Sequence, residues 1–277
     1  LPDNELQLSK VTNQTDQSSL SIEEQKIYDR QLRIWGFETQ NRIRNSSILI
    51  IGRINGLAIE IAKNLTLSGI GQLTLCDNIP VSEYSLTSNF FISQYLSNLN
   101  IQLSTLTSKR LTEGQISVDG LQELNKNVSI NHFLLPNDPL TLCSDEKLLQ
   151  YDYIICVGTT ISYATIINNF IRKNNTDIAF IYASLNNYIG ISFFDLGPNF
   201  TWFQKPSILS SKQQHGNEEN SQSLPVKTPF LSLELSLSQL SLKLSSQQLP
   251  SIILSSEITV EQFYTTISHN PSLSNID

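Results

Sequence analysis

The chain of 277 residues lacks the features that mark several large classes of protein. No apolar run approaches the roughly 20 residues of a membrane-spanning helix, so we expect no membrane partner. Lysine and arginine total 18 against 25 aspartates and glutamates, and the resulting net charge of -7 argues against nucleic acid as the main partner. Residues 1–19 are polar and carry no apolar core that would predict a secretory signal.

Cysteine is also scarce. Cys76, Cys143 and Cys156 lie far apart and form neither a zinc-ligand spacing nor a disulfide framework. This pattern predicts no metal site and fits a reducing, intracellular compartment. Cys76 and Cys156 end apolar segments, so we expect them to be inert core residues, whereas Cys143 lies in a polar stretch and receives no role.

The residues that are present predict a folded α/β protein, since 39% are hydrophobic and only 16% are charged. The apolar run 48–51, closed by Gly52, predicts a strand buried on both faces. Residues 56–68 have helical spacing, and a second strand, 72–76, ends at Asp77. A strand, a glycine turn, a helix and a strand form a βαβ unit, which predicts a doubly wound, Rossmann-like and mostly parallel sheet.

Helices are predicted ahead of this unit. Ser21 with Glu24 three residues later is a capping box, so a helix should follow it. Gly36 is placed to end that helix. A second short helix is expected over residues 38–44.

The alternation of helices and strands continues along the chain. It predicts helices over 113–126 and 161–173 and strands over 128–133, 151–157 and 178–183. Residues 93–108 have weak periodicity and are interpreted as an insertion or loop. Residues 188–196 and 200–204 alternate, so we expect them to form an antiparallel pair near the sheet edge.

Four regions follow from these patterns: a disordered leader at 1–20, an α/β domain at 21–205, a polar linker at 206–227 and a helical part at 228–277. Thr228 and Pro229 resemble a helix N-cap followed by proline. The leucines after them alternate as in a strand, and they also mark a helical face through Leu233, Leu237 and later positions. The cap favours the helix. Thr259 with Gln262 predicts a last short helix.

The turn of the βαβ unit is a candidate nucleotide site. Backbone N–H groups at Gly52 and Gly56 would face a phosphate at the helix N-terminus, and Asp77 could accept a hydrogen bond from ribose. The turn has no Gly-x-Gly, however, and Arg53 and Ile54 place side chains where a phosphate needs bare backbone. Two interpretations stay open from this pattern, a fold that has lost its site and a true nucleotide site such as that of an NAD-dependent oxidoreductase.

A more specific signal is residues 28–36, which read Tyr-Asp-Arg-Gln-Leu-Arg-Ile-Trp-Gly. This segment resembles the opening motif of the ThiF/MoeB-like activating enzymes for ubiquitin-like proteins. The stretches 60–65, 69–74 and 88–92 agree with it, and a weaker likeness continues to residue 197. Within that family, the chain is most similar to the smaller, regulatory subunit of the enzymes that activate SUMO.

The resemblance implies a division of labour between two related folds. One half, the larger catalytic subunit, adenylates the modifier with ATP and magnesium and carries the thioester cysteine. The other half supports it and reaches across with an arginine from the opening helix to the ATP phosphates. The matching residue here is Arg30, and Arg33, one helical turn on, is a candidate assistant.

Departures from the active pattern imply that this chain is the supporting half. Ile79 stands at the second acidic position, Ser88 stands at the arginine position, and residues 157–160 contain no carboxylate. The zinc cysteine pairs of the active half are missing from the sequence. A site without these groups cannot stabilise the charge of adenylyl transfer.

The chain should therefore be inactive alone and bind no cofactor itself, with Gly52, Gly56 and Asp77 as a remnant. Its expected partners are the larger subunit, which would hold ATP and magnesium, and, mostly through that subunit, a SUMO-like modifier. The resemblance implies a location in the nucleus and cytoplasm. Its nearest alternatives are the regulatory subunit of a Rub/Nedd-type activating enzyme and the N-terminal half of a single-chain ubiquitin-activating enzyme.

Overall fold

A computed structural model describes residues 20–144, 147–174, 177–186, 189–203 and 225–237. Several sequence predictions lie outside these residues. They are the disordered leader through residue 19, the linker from 206 to 224 and the helix predicted to begin at Thr259.

The described elements alternate between helix and strand for most of their length. The helices are α1 (Ile22–Ile27), α2 (Asp29–Arg44), α3 (Gly56–Ser68), α4 (Glu83–Ser88), α5 (Phe90–Leu99), α6 (Leu103–Ser108), α7 (Glu113–Leu124), α8 (Pro139–Ser144) and α9 (Ile161–Lys173). The strands are β1 (Ser47–Gly52), β2 (Gln72–Asp77), β3 (Ser129–Leu134), β4 (Tyr153–Val157), β5 (Ala179–Asn186), β6 (Ile189–Asp195), β7 (Thr201–Phe203) and β8 (Pro225–Lys227). A 3-10 turn covers Lys147–Gln150.

Six strands form one sheet in the order β3-β2-β1-β4-β5-β6. The first five are parallel, and β6 runs antiparallel to β5 at the edge. This confirms the predicted doubly wound, mostly parallel sheet. The strand order reverses between β1 and β4, and ligands of such folds bind outside the carboxyl ends of the strands at that point.

Both faces of the sheet are packed with apolar side chains, as the run 48–51 predicted. Leu49 and Ile51 point into a core shared with α8 and α9, whereas Ile48 and Ile50 point into a core shared with α3 and α7. Successive side chains of a strand face opposite sides, so a strand covered on both sides needs an unbroken apolar run.

The prediction of a loop over 93–108 is wrong, because this region forms most of α5 and all of α6. Ile92 and Leu106 pack with Val81 and Ile116 in a third, smaller core. Only a few positions of these short helices are buried, which explains their weak periodicity. Tertiary packing rather than local pattern stabilises them.

Three further predictions, for the segments after residue 188, differ from the structure. Strand β7 pairs with β8 and not with the 188–196 strand, whose partner is β5. Strand β8 thus uses the last three residues of the predicted linker. Thr228 and Pro229 do not begin a helix, and a helical turn occurs instead at 233–237. The rest of the leucine-rich segment and the exact limits of the predicted domains are not tested by the described residues.

Helices precede β1 as predicted, but the helix predicted to run from Ser21 to Gly36 is divided at Tyr28, where α1 ends and α2 begins. Ser21 Oγ accepts from the backbone N–H of Glu24 at 3.1 Å, and Glu24 Oε2 accepts from the N–H of Ser21 at 2.8 Å. Gly36 has φ +82° and interrupts α2, so the residues on either side form two helical segments. Among the described helices, none is long and apolar enough to span a bilayer.

Candidate functional site

The turn after β1 is held against the next strand of the sheet by a glycine. Gly52 has φ +123°, and a Cβ placed on it would lie 2.2 Å from the carbonyl oxygen of Val157 at the end of β4. The N–H of Arg53 donates to that same oxygen at 3.1 Å. Gly52 therefore serves the close approach of β1 and β4 at the switch point.

The rest of the turn is partly covered by this chain's own residues, since Ile54 is buried while Asn55 and Gly56 are half-buried. Ile54 is fully buried, and its carbonyl oxygen accepts from Asn89 Nδ2 at 3.1 Å. A Cβ on Gly56, the first residue of α3, would lie 3.1 Å from the carbonyl oxygen of Ser88. The helix N-terminus that would face a phosphate is thus packed against the end of α4.

Arg53, which the sequence placed in the way of a phosphate, has partners within the chain. Its guanidinium lies 4.9 Å from the centre of the Tyr84 ring and 3.9 Å from Glu113 Oε1. Glu113 is fully buried and also accepts from Ser85 Oγ at 2.7 Å. Burial raises the pKa of Glu113, and the Ser85 hydrogen bond and the Arg53 charge offset this only in part.

Asp77, the remnant ribose acid, is fully buried at the end of β2. Its carboxylate accepts from Thr112 Oγ1 at 2.7 Å and from the N–H of Gly114 at 3.0 Å, and it contacts His132 Nε2 at 2.7 Å. A Cβ on Gly114 would lie 2.7 Å from the carboxylate. Asp77 therefore fastens the N-terminus of α7 to the sheet, where a carboxylate is favoured by the helix dipole.

Sequence reasoning missed the partners of Asp77 and assigned no role to His132. The side chain of His132 is only 9% exposed, on a strand adjacent to β2. The one available signal was the predicted parallel pairing of two strands that end close together. No local motif links positions 55 residues apart.

The turn after β4 and the three cysteines offer no further chemistry. Thr160 caps α9, where its Oγ1 accepts from the N–H of Tyr163 at 3.2 Å. Cys76, Cys143 and Cys156 are free and buried in one core, to which Cys143 contributes from α8. Burial raises the pKa of the Cys143 thiol to about 11 and raises those of the other two thiols as well. Nowhere among the described residues do three His, Cys, Asp or Glu side chains come together as a metal site.

The two arginines of the opening motif lie on the exposed first segment of α2. Arg33 pairs with Asp29 at 3.0 Å, and both side chains are more than half exposed. Arg30 is exposed and makes no hydrogen bond or ion pair with any residue that the structure describes. A guanidinium in this state keeps all five of its N–H donors free for a ligand.

Arg30 and the remnant site lie at opposite ends of α3. The remnant surrounds Gly56, where α3 begins, whereas Tyr28, just before the arginine segment, packs against Gly69, the residue after α3. A helix of 13 residues is about 20 Å long. The structure therefore does not bring Arg30 together with Gly52, Gly56 and Asp77.

Known proteins are similar to this chain over the region that forms the opening helices and the sheet. The model of the ThiF family matches residues 28–194. The SUMO-activating enzyme subunit aos-1 of Caenorhabditis elegans is 33% identical over 179 residues, which cover 64% of this chain and 48% of that protein. The ubiquitin-activating enzyme E1 1 of Candida albicans is 34% identical over 188 residues, which cover 68% of this chain and 16% of that protein.

A solved structure supports the fold alone. The crystal structure of PaaA superposes with a TM-score of 0.51 at 18% identity and covers 88% of this chain and 69% of that one. This chain spans about half the length of the SUMO-activating relatives that it matches.

Proposed function

Because the chain belongs to the ThiF family, whose model matches more than half of its residues, we propose that it is the supporting subunit of an activating enzyme for a SUMO-like modifier. In this role it pairs with a larger catalytic subunit and does not catalyse adenylation alone. Arg30 reaches the ATP site of that subunit. The similarity to named SUMO-activating subunits supports the choice of modifier class.

The observation that carries the proposal is the state of Arg30. It is an exposed guanidinium without partners among the described residues, on a segment that begins at the end of α3 opposite to this chain's own remnant site. A guanidinium is always charged and binds phosphate oxygens in pairs. Adenylation releases pyrophosphate from ATP, so a cation lent to the phosphates stabilises the charge that develops there.

The remnant site argues that ATP and magnesium belong to the partner. Asp77 is held by Thr112, Gly114 and His132, and the glycine turn is packed against α4 and β4. A nucleotide that used Asp77 would have to displace the Thr112, Gly114 and His132 contacts of this fully buried carboxylate, which is costly. The same contacts argue against an NAD-dependent oxidoreductase.

Exposed apolar side chains beside Arg30 support a protein partner. Ile27, Ile34 and Phe37 are 63%, 75% and 55% exposed, and all lie within seven residues of Arg30 along the chain. Apolar clusters that surround a polar functional group are typical of protein interfaces. We therefore place the catalytic subunit against the first segment of α2.

The test is the variant Arg30→Ala in the reconstituted pair with a larger subunit and a SUMO-like modifier. We expect ATP–pyrophosphate exchange to slow by about 10³-fold or somewhat less, with folding and pairing retained. Arg42→Ala is the matched control, because Arg42 is an exposed arginine of the same helix that already pairs with Glu38 at 2.7 Å. Arg33→Ala tests the assistant role and should have a smaller effect than Arg30→Ala.

Unchanged exchange by Arg30→Ala would reject the role of this residue. Formation of an acyl-adenylate by the chain alone would reject the role of a supporting subunit, and tight NAD binding would favour the oxidoreductase.

A second candidate modifier is favoured by one observation, the similar identity to ubiquitin-activating enzymes. Co-purification with candidate larger subunits, followed by thioester assays with SUMO-like, Rub/Nedd-type and ubiquitin modifiers, separates the alternatives. The location that we propose is the nucleus and cytoplasm, which imaging of the tagged chain would test.

A further inference from the structure

The helical segment that carries Arg30, from Asp29 to Trp35, is anchored at both of its ends. Between the anchors its side chains are exposed or half-buried, and Arg30 itself has no partner among the described residues. The position of the guanidinium therefore depends on how the backbone of this segment is held. The two anchors are the contacts that hold it.

The first anchor is Tyr28, the residue at which α1 ends and α2 begins. It is 2% exposed, and its backbone N–H donates to Glu24 while its carbonyl accepts from Leu32, both at 2.9 Å. Its ring lies over Gly69, where an added Cβ would come within 2.4 Å of the ring and the hydroxyl. Gly69 has φ +80°, which favours glycine in the turn after α3. The missing side chain also leaves the space that the Tyr28 ring occupies.

A single amide ties the hydroxyl of Tyr28 to two helices. Asn125, the residue after α7, donates from Nδ2 to the Tyr28 hydroxyl at 2.8 Å and to the carbonyl of Thr66 at 2.9 Å. Its Oδ1 accepts from the N–H of Asn127 at 3.1 Å, which fixes the amide. The residue before the arginine segment, Tyr28, is therefore held by contacts with the C-terminal ends of both α3 and α7.

The second anchor starts from Trp35, the last residue of the segment. Trp35 Nε1 donates to Gln40 Oε1 at 2.9 Å, and Gln40 Nε2 donates to the carbonyl of Ser68 at 2.9 Å. Gln40 is fully buried. Both anchors therefore end on the last turn of α3, at Thr66, Ser68 and Gly69.

We propose that Tyr28 is the positioning residue for Arg30, acting through its hydroxyl bond to Asn125, an inference that rests on the proposed function. Arg30 follows Tyr28 by two residues, which is about 3 Å along a helix, so a shift of the tyrosine backbone also shifts the backbone from which the Arg30 side chain extends. A displacement of about 1 Å is enough to weaken a charge-stabilising contact strongly. Tyr28 touches no reacting atom in this role.

The test is Tyr28→Phe in the reconstituted pair with ATP and a SUMO-like modifier. The phenyl ring keeps its seat over Gly69, and only the hydroxyl is lost. We expect kcat for ATP–pyrophosphate exchange to fall roughly fivefold, the size of one lost hydrogen bond, with little change in KM for ATP. Tyr182→Phe is the matched control, because Tyr182 is also buried and donates from its hydroxyl to the carbonyl of Thr159 at 3.2 Å.

A double-mutant cycle with Arg30→Ala separates positioning from mere stability. If Tyr28 acts through Arg30, Tyr28→Phe has no further effect on kcat once Arg30 is gone. An equal decrease in both backgrounds, or an equal decrease by Tyr182→Phe, overturns the inference. No effect of Arg30→Ala rejects the role of Arg30 in the proposed function, and the inference about Tyr28 falls with it, whatever Tyr28→Phe does.

Asn125→Ala is a second route to the same bond, used if Tyr28→Phe does not fold. It should lower kcat by a similar factor, again only while Arg30 is present. Pairing with the larger subunit is measured for each variant by co-purification, so that a loss of assembly is not read as a loss of positioning. A kcat for Asn125→Ala equal to that of the unmodified pair contradicts the role of the hydroxyl bond.

Discussion

Polar residues lie near both ends of α3, but they differ in whether they have partners within the chain. We call the start of α3 the closed end and its C-terminal end the open end. Where α3 begins, Arg53 and Asp77 lie among internal partners, and the glycine turn is closed by packing. Where α3 ends, Tyr28 and Gln40 are tied to the helix while Arg30 is left exposed. The comparison separates two states of an arginine, one with partners inside the fold and one that is exposed and has no partner among the described residues.

The largest effect on stability should come from a glycine at the closed end. In Gly52→Ala the methyl group would meet the Val157 carbonyl, and the φ of +123° is strained for alanine. We expect a loss of about 4 kcal/mol or more in the free energy of unfolding. Gly36→Ala is the matched control at the other end, where φ is also positive at +82° but nothing lies within 4 Å of the added Cβ.

For Gly36→Ala, strain alone should cost about 1–2 kcal/mol. Urea titration of both variants measures the difference. Equal losses would mean that the turn after β1 is not closed against β4, and the contrast between the two ends would fail.

The second prediction concerns Glu24, a buried carboxyl near the open end. Burial raises its pKa, but the N–H of Ser21 and the guanidinium of Arg44, at 2.7 Å, outweigh this and lower the pKa below its ordinary value of 4.5. A lowered pKa means that the carboxylate contributes stability above pH 4.5, which is lost as pH falls through the folded-state pKa. Glu24→Gln should therefore cost about 2 kcal/mol at pH 7 and less in acid.

Unfolding titrations at pH 7 and at about pH 3.5 check the Glu24 prediction, the acid point lying below the ordinary pKa. Glu38→Gln serves as control, since the pair of Glu38 with Arg42 is exposed and contributes little. A cost for Glu24→Gln that grows toward acid would contradict the assigned direction.

The smallest effect, and one of opposite sign, is expected for Glu113 at the closed end. Its pKa is raised by burial, so its contribution to stability is full below the ordinary pKa of 4.5 and is lost as pH rises through the folded-state pKa. Glu113→Gln keeps the shape and removes the buried charge. We expect it to gain about 1 kcal/mol over the unmodified chain at pH 7 and nothing near pH 4.

The same urea titrations measure the Glu113 effect. A loss at pH 7 larger than that at pH 4 would mean that the attraction between Arg53 and Glu113 outweighs burial. The carboxylate of Glu113 would then stabilise the fold as that of Glu24 does, and the two ends would not differ in this respect.

Much of the fold could be predicted because its signals are local. The capping box of Ser21 and Glu24, the apolar run of β1 and the bounds of α9 each depend on residues within one element. Residues 93–108 could not be predicted in this way, since Ile92 and Leu106 are buried in a cluster with Val81 and Ile116, which come from other parts of the chain. The pairing of β7 with β8 likewise joins residues more than twenty positions apart.

The residues of the candidate site could be predicted from the sequence, but their hydrogen-bond partners and their burial could not. The sequence identified Gly52, Asp77 and Arg30 by motif and spacing. It did not predict that His132 and Thr112 hold Asp77, or that Asn125 holds Tyr28 from 97 positions away. These contacts determine which polar groups are hydrogen-bonded within the fold and which remain available at its surface.

The amino-acid order by itself determined the βαβ unit and the opening motif, because hydrophobic period and turn chemistry act between near neighbours. Tertiary structure alone decided that the arginine at position 53 has partners and the one at position 30 has none among the described residues. The reason is physical: a guanidinium is the same group at both positions, and its role depends on which distant carboxylates and rings the packed sheet brings near it.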